Sequence, residues 1–556
     1  GAGPAGLVAA LTLRKNDIPV RIIEKEETVR NIGQRGAAIM PRSQELYKIL
    51  GVLDDIRAKA LRIVPMRMYR LPDGIEPIST FAIDPPVLTT PDKPFSNALM
   101  LGQNHSEAIL RAHLQRLDCE VEFGTALHSI QPGSDHVWAH VIKKDGDHGS
   151  VETIKCRWLV GTDGARGVVR KQLGLPFDGE TLGATHHLVI GDVQIKGLDR
   201  KHWHTWGDMS TLLVMLRATE DDDVFFLFVG GQVDHATIVA ERAELERVLK
   251  LGTGRSDIEL GRIRSITEYR PHVRMAETFR RGRVFVAGDA AHVHTPFGGQ
   301  GLNSSIQDAI NLGWKLSLVE KGHATPALLD TYTEERAPVI AEMLKKSTKL
   351  FDEAQNVKAD GTNLEQAWHR GGELHMLGVN YRWSSIVLDK RTPKETAPVD
   401  PYGVTCTDMN VNTVRAGERA PDAPGLVRLD SVHSAQATTS LLDIFRPSYH
   451  TVLIFSDGTD KAGRMVSTMK AYPAGLLRTV LIHSDSTTAL SNNVEVDFNV
   501  VDRDGHAHDG YQVAKDEFIT FIVRPDSVVG GVVSRIHEAK QYFDGILGST
   551  QLMAHI

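Results

Sequence analysis

The sequence predicts an α/β fold built from three units, and three observations support this prediction. A glycine-rich turn at the start of the chain leads into an amphipathic helical segment and a short apolar strand. Residues 183–275 change to strand-like apolar runs with one helical segment among them. Residues 391–414 are rich in Pro, Thr and Asp, which is typical of a linker, and strands alternate with helices after them.

These boundaries divide the chain into five segments. We expect the first domain to occupy 1–182 and to resume, with additional helices, at 276–390. Residues 183–275 are expected to form an inserted, β-rich domain with a mixed sheet, which interrupts the first domain without ending it. The linker at 391–414 then leads to a C-terminal domain at 415–556.

Composition limits the partners and the setting of the protein. The 556 residues carry 63 basic and 70 acidic side chains, a formal charge of −7, without a concentrated Lys/Arg stripe, so we expect no nucleic-acid partner. No apolar run reaches the roughly 18 residues of a membrane span, so we expect no membrane partner. The cysteines Cys119, Cys156 and Cys406 are too far apart for a CxxC pair, which favours a reducing, cytoplasmic setting. The chain begins inside its first motif, and we expect further residues ahead of Gly1.

The opening motif predicts a Rossmann-like, dinucleotide-binding turn. Its glycines allow the backbone to approach a pyrophosphate, whose negative charge the N-terminus of the next helix stabilises. An acidic residue at the end of the following strand accepts hydrogen bonds from a ribose in such sites. A turn without a ligand is the alternative, but helix, strand and acidic residue follow here at the expected intervals. The residues that we expect to bind are Gly1, Gly3, Ala5, Gly6, Glu24 and the adjacent Lys25.

Two further motifs follow apolar strands later in the chain. The sequence GTDGAR occupies 161–166, and GDAAH occupies 288–292. The second of these continues through PFGGQGLN at 296–303 into a long helix.

With three motifs in this order, residues 1–350 resemble the flavoprotein aromatic hydroxylases, the family of p-hydroxybenzoate hydroxylase and phenol hydroxylase. The resemblance implies a Rossmann-like FAD-binding domain, an inserted mixed-sheet substrate domain, and FAD as the cofactor, with NADPH or NADH as a transient reductant. The segments RAGERAP at 415–421 and FIVRPD at 521–526 resemble the C-terminal, thioredoxin-like domain of phenol hydroxylase-type members. No Cys-x-x-Cys lies in this region, so thiol exchange is excluded and a structural or dimer-forming role is expected.

The family resemblance also implies that the second and third motifs bind the cofactor through Asp163, Gly164, Asp289, Pro296, Gly299, Gly301, Leu302 and Asn303. A helix or loop cap is the alternative role for Asp289. Glu24 would hold the adenosine ribose, Asp163 would brace the loop near the pyrophosphate, and Asp289 would accept a hydrogen bond from the ribityl chain. Arg35 and Gln103 match cofactor contacts. The segment 296–303 would wrap the flavin ring, with the N–H groups of Leu302 and Asn303 toward its pyrimidine edge. A helix start at that place stabilises the negative charge of the reduced flavin.

The reaction implied by the resemblance inserts one oxygen atom of dioxygen into a phenol-like ring through a flavin hydroperoxide. Most of this chemistry belongs to the cofactor, and the protein holds the ring close, excludes water and helps to deprotonate the phenol. Gly298, Gly299 and Gly301 leave space for dioxygen beside the flavin, and Pro296 and Gly299 of this loop are candidate catalytic residues. Candidates for substrate contact are Tyr269 and Arg274, which precede the third motif, and His204, Trp206 and Phe228 of the inserted sheet, each of which suits a core position equally well.

Other interpretations of the sequence stay open. The His-x-His pairs 202/204 and 292/294 lack a carboxylate or thiol at ligand spacing, so we expect no metal. A flavin-dependent halogenase would need a Trp-x-Trp-x-Ile-Pro signature, which is absent. An FAD-linked reductase or dehydrogenase, and a flavin-binding scaffold without oxygenase activity, remain alternatives. The expected partners are a small phenolic substrate, dioxygen and a second copy of the chain in a homodimer.

Overall fold

A computed structural model describes residues 1–29, 33–145, 148–181, 187–358, 360–403, 413–429, 437–485 and 495–547. Three predicted features fall partly or wholly outside these residues. They are the boundary at 182–183, the middle of the linker at 391–414 together with Cys406, and the last residues of the C-terminal domain.

Helices and strands alternate along the chain, as the sequence predicts for an α/β protein. The helices of the described residues are Pro4–Arg14, Pro41–Leu50, Leu53–Lys59, Gln103–Gln115, Val168–Gln172, His235–Ala240, Arg242–Thr253, Gln300–Glu320, Thr331–Gln355, Leu364–Trp368, Leu441–Ile444, Asp460–Met469, His506–Tyr511 and Ile536–Leu547. Within those residues no helix is both long and apolar enough to cross a bilayer.

The first domain brings the predicted motifs to neighbouring strand ends. Leu159–Gly161 pairs in parallel with Val284–Val286, so the loops that follow both strands lie at the same sheet edge. The helix Pro4–Arg14 packs along Gln300–Glu320, which is buried over nearly its whole length. A helix that is buried on all sides forms the centre of a domain, and here it forms the centre of the first domain.

A seven-stranded mixed sheet forms the inserted domain. Two of its strands come from before residue 183, because the extended segment Met66–Tyr69 pairs in parallel with Trp203–Gly207 and brings Pro77–Phe81 with it. The sheet is therefore not confined to 183–275. Its strand order is Glu259–Tyr269, Leu188–Lys196, Val224–Gly231, Leu212–Ala218, Trp203–Gly207, Met66–Tyr69 and Pro77–Phe81.

The two faces of this sheet differ in what covers them. Side chains alternate along each strand, so Phe226 and Phe228 lie on one face while Phe225 and Leu227 lie on the other. The first face, here called the aromatic face, packs against residues that follow the third motif. The second face is covered by the helices His235–Ala240 and Arg242–Thr253.

The C-terminal domain is built on an eight-stranded mixed sheet. His450–Phe455 is central and pairs in parallel with Leu477–His483 and antiparallel with Ile519–Val523. Helices pack against the sheet, which makes this domain a small α/β unit. Its full strand order is Leu388–Asp389, Val529–Val533, Ile519–Val523, His450–Phe455, Leu477–His483, Phe498–Val501, Leu426–Arg428 and Thr438–Thr439.

The remaining strands form small sheets around the first domain. They are Ile22–Ile23 with Val121–Glu122; Ala38–Ile39, Leu61–Arg62 and Leu99–Met100; Thr125–Pro132, Val137–Asp145 and His148–Cys156; Phe177–Thr181, His272–Ala276 and His292–Val293; and Arg280–Arg281 with Val284–Val286.

Candidate active site: a dinucleotide groove beside an aromatic face

The first glycine turn is tightly folded against the second motif. A Cβ at Gly1 or Gly6 would collide with backbone or side-chain atoms of this turn and of Thr162. A Cβ at Gly3 would meet no atom within 4 Å, so the space above this residue is open. Gly3 is also the N-cap of the helix Pro4–Arg14 and offers no side-chain cap. The first N–H groups of the helix, including that of Ala5, therefore face open space, as an anion site requires.

Glu24 closes one side of this turn. Its Oε2 accepts a hydrogen bond of 2.8 Å from the N–H of Ala2, and its Oε1 accepts one of 3.2 Å from Glu26. The adjacent Lys25 is exposed, with its Nζ 3.9 Å from Glu26 Oε1. The half-buried Glu24 carboxylate is thus fixed beside the helix start, and Lys25 points to solvent.

The second motif braces the same region. Asp163 Oδ2 accepts hydrogen bonds from the N–H groups of Val168 and Val169 at 2.6 and 3.0 Å, so it caps the helix Val168–Gln172. Its Oδ1 is buried and finds no partner within the described part of the chain. Gly164 has a φ of +77° and open space at its Cβ position. A buried carboxylate oxygen without a donor marks a place where a ligand or water completes the site.

The third motif lies directly against the first. Gly288 has a φ of +60°, and a Cβ there would lie 3.0 Å from the Cβ of Ala5. Asp289 follows, and its carboxylate is accessible from the groove although protein surrounds it closely. Burial raises the pKa of Asp289, and the charge of His292 opposes this rise. An accessible carboxylate without a partner is suited to accept a hydrogen bond from a bound hydroxyl.

Behind Asp289, a second aspartate is fully paired. Asp308 Oδ2 is 2.8 Å from His292 Nε2, and its Oδ1 accepts a hydrogen bond of 2.7 Å from Arg336 Nε. Burial alone would raise the pKa of Asp308, but Arg336 and His292 outweigh burial and lower it to about 2. Asp308 also accepts the N–H of Gly288 at 3.1 Å, so this ion pair holds the turn that carries Asp289.

The helix Gln300–Glu320 begins at a left-handed glycine. Gly299, with a φ of +64°, is its N-cap and lies against Ala38. In a helix capped there, the N–H groups of Gln300, Gly301 and Leu302 have no intrahelical acceptor.

The Asn303 side chain has a structural task. Its Nδ2 donates to the carbonyl oxygens of Ala38 and Gly299 at 2.9 and 2.7 Å, and its Oδ1 accepts from the Met40 N–H at 2.8 Å. These bonds tie the strand Ala38–Ile39 to the helix start. Pro296 lies on the exposed side of the same loop.

Arg35 and Gln103 border the groove near this helix start. A Cβ at Gly36 would lie 3.0 Å from Gln103 Oε1 and 3.5 Å from Leu302 Cβ, so these three residues converge. Gln103 Nε2 donates to Glu107 at 2.8 Å. Arg35 is exposed, and its charge acts on the hydroxyl of Tyr269 together with that of Asp289.

Tyr269 connects the sheet with the third motif. Its hydroxyl donates to the carbonyl oxygen of His294 at 3.0 Å. Burial raises the pKa of Tyr269, so this hydroxyl stays protonated and acts as a donor rather than as a base. Burial lowers the pKa of His294 to about 4, and its ring lies so close to Gly301 that any side chain at 301 would collide with it. His294 is therefore neutral near pH 7.

The loop of the third motif also reaches the aromatic face. Phe297 is buried, with its ring centroid 5.4 Å from those of Phe351 and Trp368 and 6.4 Å from that of Phe228. The predicted candidates Phe228 and Tyr269 thus belong to this face. Sequence reasoning missed Phe297, although its position inside the glycine-rich stretch 296–301 was a usable signal.

Other candidates lie elsewhere. Trp206 is fully buried on the opposite face and donates from Nε1 to Gly74. His204 lies beside it, 2.7 Å from the Tyr69 hydroxyl, because residues 204 and 206 share a strand face. Arg274 belongs to the separate sheet with Phe177–Thr181, where its guanidinium is 3.4 Å from Thr181 Oγ1. None of these three side chains is on the aromatic face. The described residues also contain no group of three or more potential metal ligands.

The residues of the groove fit FAD. An uncapped helix N-terminus faces open space at Gly3, a buried oxygen of Asp163 lacks a donor, and the carboxylate of Asp289 is accessible. A pyrophosphate and a polyol chain supply the anion and the hydroxyl groups that these features call for.

Fold and site together define an FAD-binding α/β protein. Residues 1–347, more than half of the chain, match the family model of the FAD binding domain. The chain belongs to this family, and within it to the flavin-dependent aromatic monooxygenases.

Several relatives support this membership. A flavin-dependent monooxygenase of Mycobacteroides abscessus is 34% identical over 466 residues, which cover 82% of this chain and 87% of the relative. Pentachlorophenol 4-monooxygenase of Sphingobium chlorophenolicum is 28% identical over 459 residues, 79% of this chain and 78% of the relative. The crystal structure of aklavinone-11 hydroxylase with FAD and aklavinone is similar over 98% of both chains, with 25% identity and a TM-score of 0.75.

Proposed function

We propose that this protein hydroxylates a phenolic aromatic ring, with dioxygen as co-substrate and NADH or NADPH as reductant. One observation carries the proposal: the loop 296–299 lies at the dinucleotide groove through Gly299 and inserts Phe297 into the aromatic face. A single short loop thus connects the place proposed for the cofactor ring with a cluster of aromatic side chains, an environment suited to a planar apolar substrate.

FAD, when bound, supplies the oxygen-activating redox chemistry. The protein positions the reacting groups and excludes water from this chemistry. The buried rings of Phe297, Phe351 and Trp368 exclude water from the loop beside the groove. The Tyr269 oxygen, whose proton is donated to the His294 carbonyl, can still accept a hydrogen bond from a substrate hydroxyl. The residues proposed to hold FAD are those of the three motifs, with Arg35 and Gln103.

The decisive test is substrate-stimulated turnover. We expect FAD-loaded protein to oxidise NADH or NADPH slowly alone and at least tenfold faster with a matching phenol. With ¹⁸O₂, the product should gain one ¹⁸O atom. Phe228→Ala should raise the KM for the phenol because it removes a ring from the aromatic face, whereas Phe498→Ala in the C-terminal domain should not. Reductant oxidation without an oxygenated product for any phenol would favour the reductase alternative.

Three further proposals concern the setting of the enzyme. The C-terminal α/β unit is proposed to be thioredoxin-like, as its lead-in and closing segments suggest. We also propose a homodimer in which this domain forms a contact. Measuring the mass of the FAD-loaded protein in solution tests this proposal. A cytoplasmic location is proposed because Cys119 and Cys156 are unpaired thiols.

A further inference from the structure

The residue before Arg35 is held in an unusual way. Gln34 is only 6% exposed and follows Gly33, whose φ of +58° places a turn at this point. A Cβ at Gly33 would collide with the carboxylate of Asp192. The Gly33 carbonyl accepts the N–H of Gln103 at 2.9 Å, so the turn is fixed to the start of the Gln103–Gln115 helix.

Two charged residues of the inserted sheet, and Glu220 in the turn that follows its strand Leu212–Ala218, hold three different groups of Gln34. Arg217 Nη2 donates to Gln34 Oε1 at 2.8 Å, and Gln34 Nε2 donates to Glu220 Oε2 at 2.8 Å. The backbone N–H of Gln34 donates to the Asp192 carboxylate. Hydrogen bonds to charged groups are among the stronger ones in proteins, so Gln34 is restrained in both position and rotation.

Two of the three residues that hold Gln34 lie on the aromatic face. Asp192 and Arg217 are both register partners of Phe226 on the strands to either side of it, so their side chains share its face. The Arg217 guanidinium lies 5.4 Å from the ring centroid of Trp203 and 5.6 Å from that of Phe226. Glu220 also accepts the N–H of Gly102 at 2.7 Å, beside the predicted cofactor contact Gln103.

Burying these charges costs desolvation free energy. Arg217 is 3% exposed, and neither its Nε nor Asp192 Oδ1 finds a partner in the described ranges of the chain. Burial raises the pKa of Asp192 to about 6, although Arg217 opposes the rise, and burial lowers the pKa of Arg217 to about 10. Apolar residues of similar size would hold two domains together with less desolvation, so this arrangement indicates a demand for defined geometry.

We propose that Gln34 is a positioning residue through which the substrate-binding sheet sets the placement of Arg35 against FAD. Asp192, Arg217 and Glu220 fix Gln34, and the peptide bond passes this restraint to Arg35. The inference rests on the proposed contact between Arg35 and the cofactor. It predicts that Gln34 affects FAD only through Arg35.

A double-mutant cycle on FAD binding tests this without any phenol, so its outcome is independent of hydroxylation. Apoprotein is titrated with FAD while flavin fluorescence is followed, for wild type, Gln34→Leu, Arg35→Ala and the double variant. We expect Gln34→Leu to weaken FAD binding about tenfold in the wild-type background and less than twofold in the Arg35→Ala background. The control Gln115→Leu removes an exposed glutamine that donates to Glu120 and should change nothing.

Each outcome decides the inference. Equal effects of Gln34→Leu in both backgrounds would show an independent role and overturn it, as would unchanged FAD affinity in Gln34→Leu. Unchanged affinity in Arg35→Ala would overturn both the Arg35 contact and the inference, while phenol-stimulated turnover stays a separate result. Should Gln34→Leu not fold, Glu220→Gln keeps the shape and removes one acceptor. It should then weaken FAD binding about threefold, again only when Arg35 is present.

Discussion

The candidate FAD groove and the contact between the C-terminal domain and the long helix both contain charged side chains, but they pair them differently. In the groove, no hydrogen bond from the described residues reaches the side chain of Asp289, and Asp163 Oδ1 is unpaired. Behind the groove, Glu335 accepts from both Nη atoms of Arg524 at 2.7 and 2.9 Å and from Lys315 at 2.7 Å.

The chemistry explains the difference. Burial would raise the pKa of Glu335, but Arg524 and Lys315 outweigh it, so this carboxylate stays charged with its needs met within the chain. Asp526 accepts from Arg524 and from Trp314, which ties the C-terminal domain to the long helix Gln300–Glu320. Paired charges thus mark a structural contact, whereas the unpaired carboxylate oxygens mark the place proposed for a ligand.

Removing Arg524 from the paired network should have the largest effect on stability. Arg524→Met leaves Glu335 and Asp526 buried with too little positive charge, so we expect the free energy of unfolding to fall by about 3–5 kcal/mol. Urea unfolding of the FAD-loaded protein measures this. Arg503→Met, which removes an exposed arginine paired with the adjacent Asp504, should leave the midpoint unchanged. A loss in Arg524→Met as small as in this control would contradict the structural role of the network.

Removing the unpaired carboxylate of Asp289 should weaken FAD binding without lowering the stability of the fold. Asp289→Ala removes the acceptor proposed for the flavin side chain, so we expect FAD binding to weaken by about 2 kcal/mol, or roughly 30-fold. Flavin content after purification and titration of the apoprotein measure this. The unfolding midpoint of the apoprotein should not fall, because the exposed Asp289 side chain makes no hydrogen bond to the described residues. Retention of full yellow colour, as expected for the exposed control Asp516→Ala, would refute the assignment.

Asp192 is buried but only partly paired, so it lies between the paired network and the unpaired groove. The pH dependence of its contribution to stability therefore tests the comparison further. Its pKa is raised to about 6, so the folded protein binds this proton more tightly than the unfolded chain does. The resulting stability is present below the ordinary aspartate pKa of roughly 4 and is lost as the pH rises through 6. Asp192→Asn removes the ionisation, so its unfolding free energy should exceed that of wild type by about 1–2 kcal/mol at pH 7 and match it at pH 4.

The measurement is urea unfolding of the FAD-loaded wild type and variant at pH 4, 5, 6 and 7. Asp516→Asn serves as the exposed control and should show a constant difference across this range. A constant difference for Asp192→Asn would mean that this carboxyl group does not titrate between the two ends of the range.

Much of the fold and of the cofactor site followed from the sequence, because local rules govern them. A glycine that must adopt a positive φ or face open space leaves a visible trace, as at Gly3, Gly164 and Gly299. The match of residues 1–347 confirms the family that the three motifs predicted. The substrate-binding part of the site was harder to predict from the sequence. Strand periodicity separates the two faces of a sheet but does not say which face meets the cofactor, so Trp206 and Phe228 looked alike.

The sequence by itself therefore determined the family, the cofactor and the three loops, since each depends on the backbone conformation of a few adjacent residues. Only the tertiary structure decided that Phe297 enters the aromatic face, that Gln34 is held by charges from the inserted sheet, and that Asp289 is unpaired while Asp308 is not. These facts depend on which distant side chains share a buried space, and in such a space the energy of a charge is set by its neighbours rather than by its own chemistry.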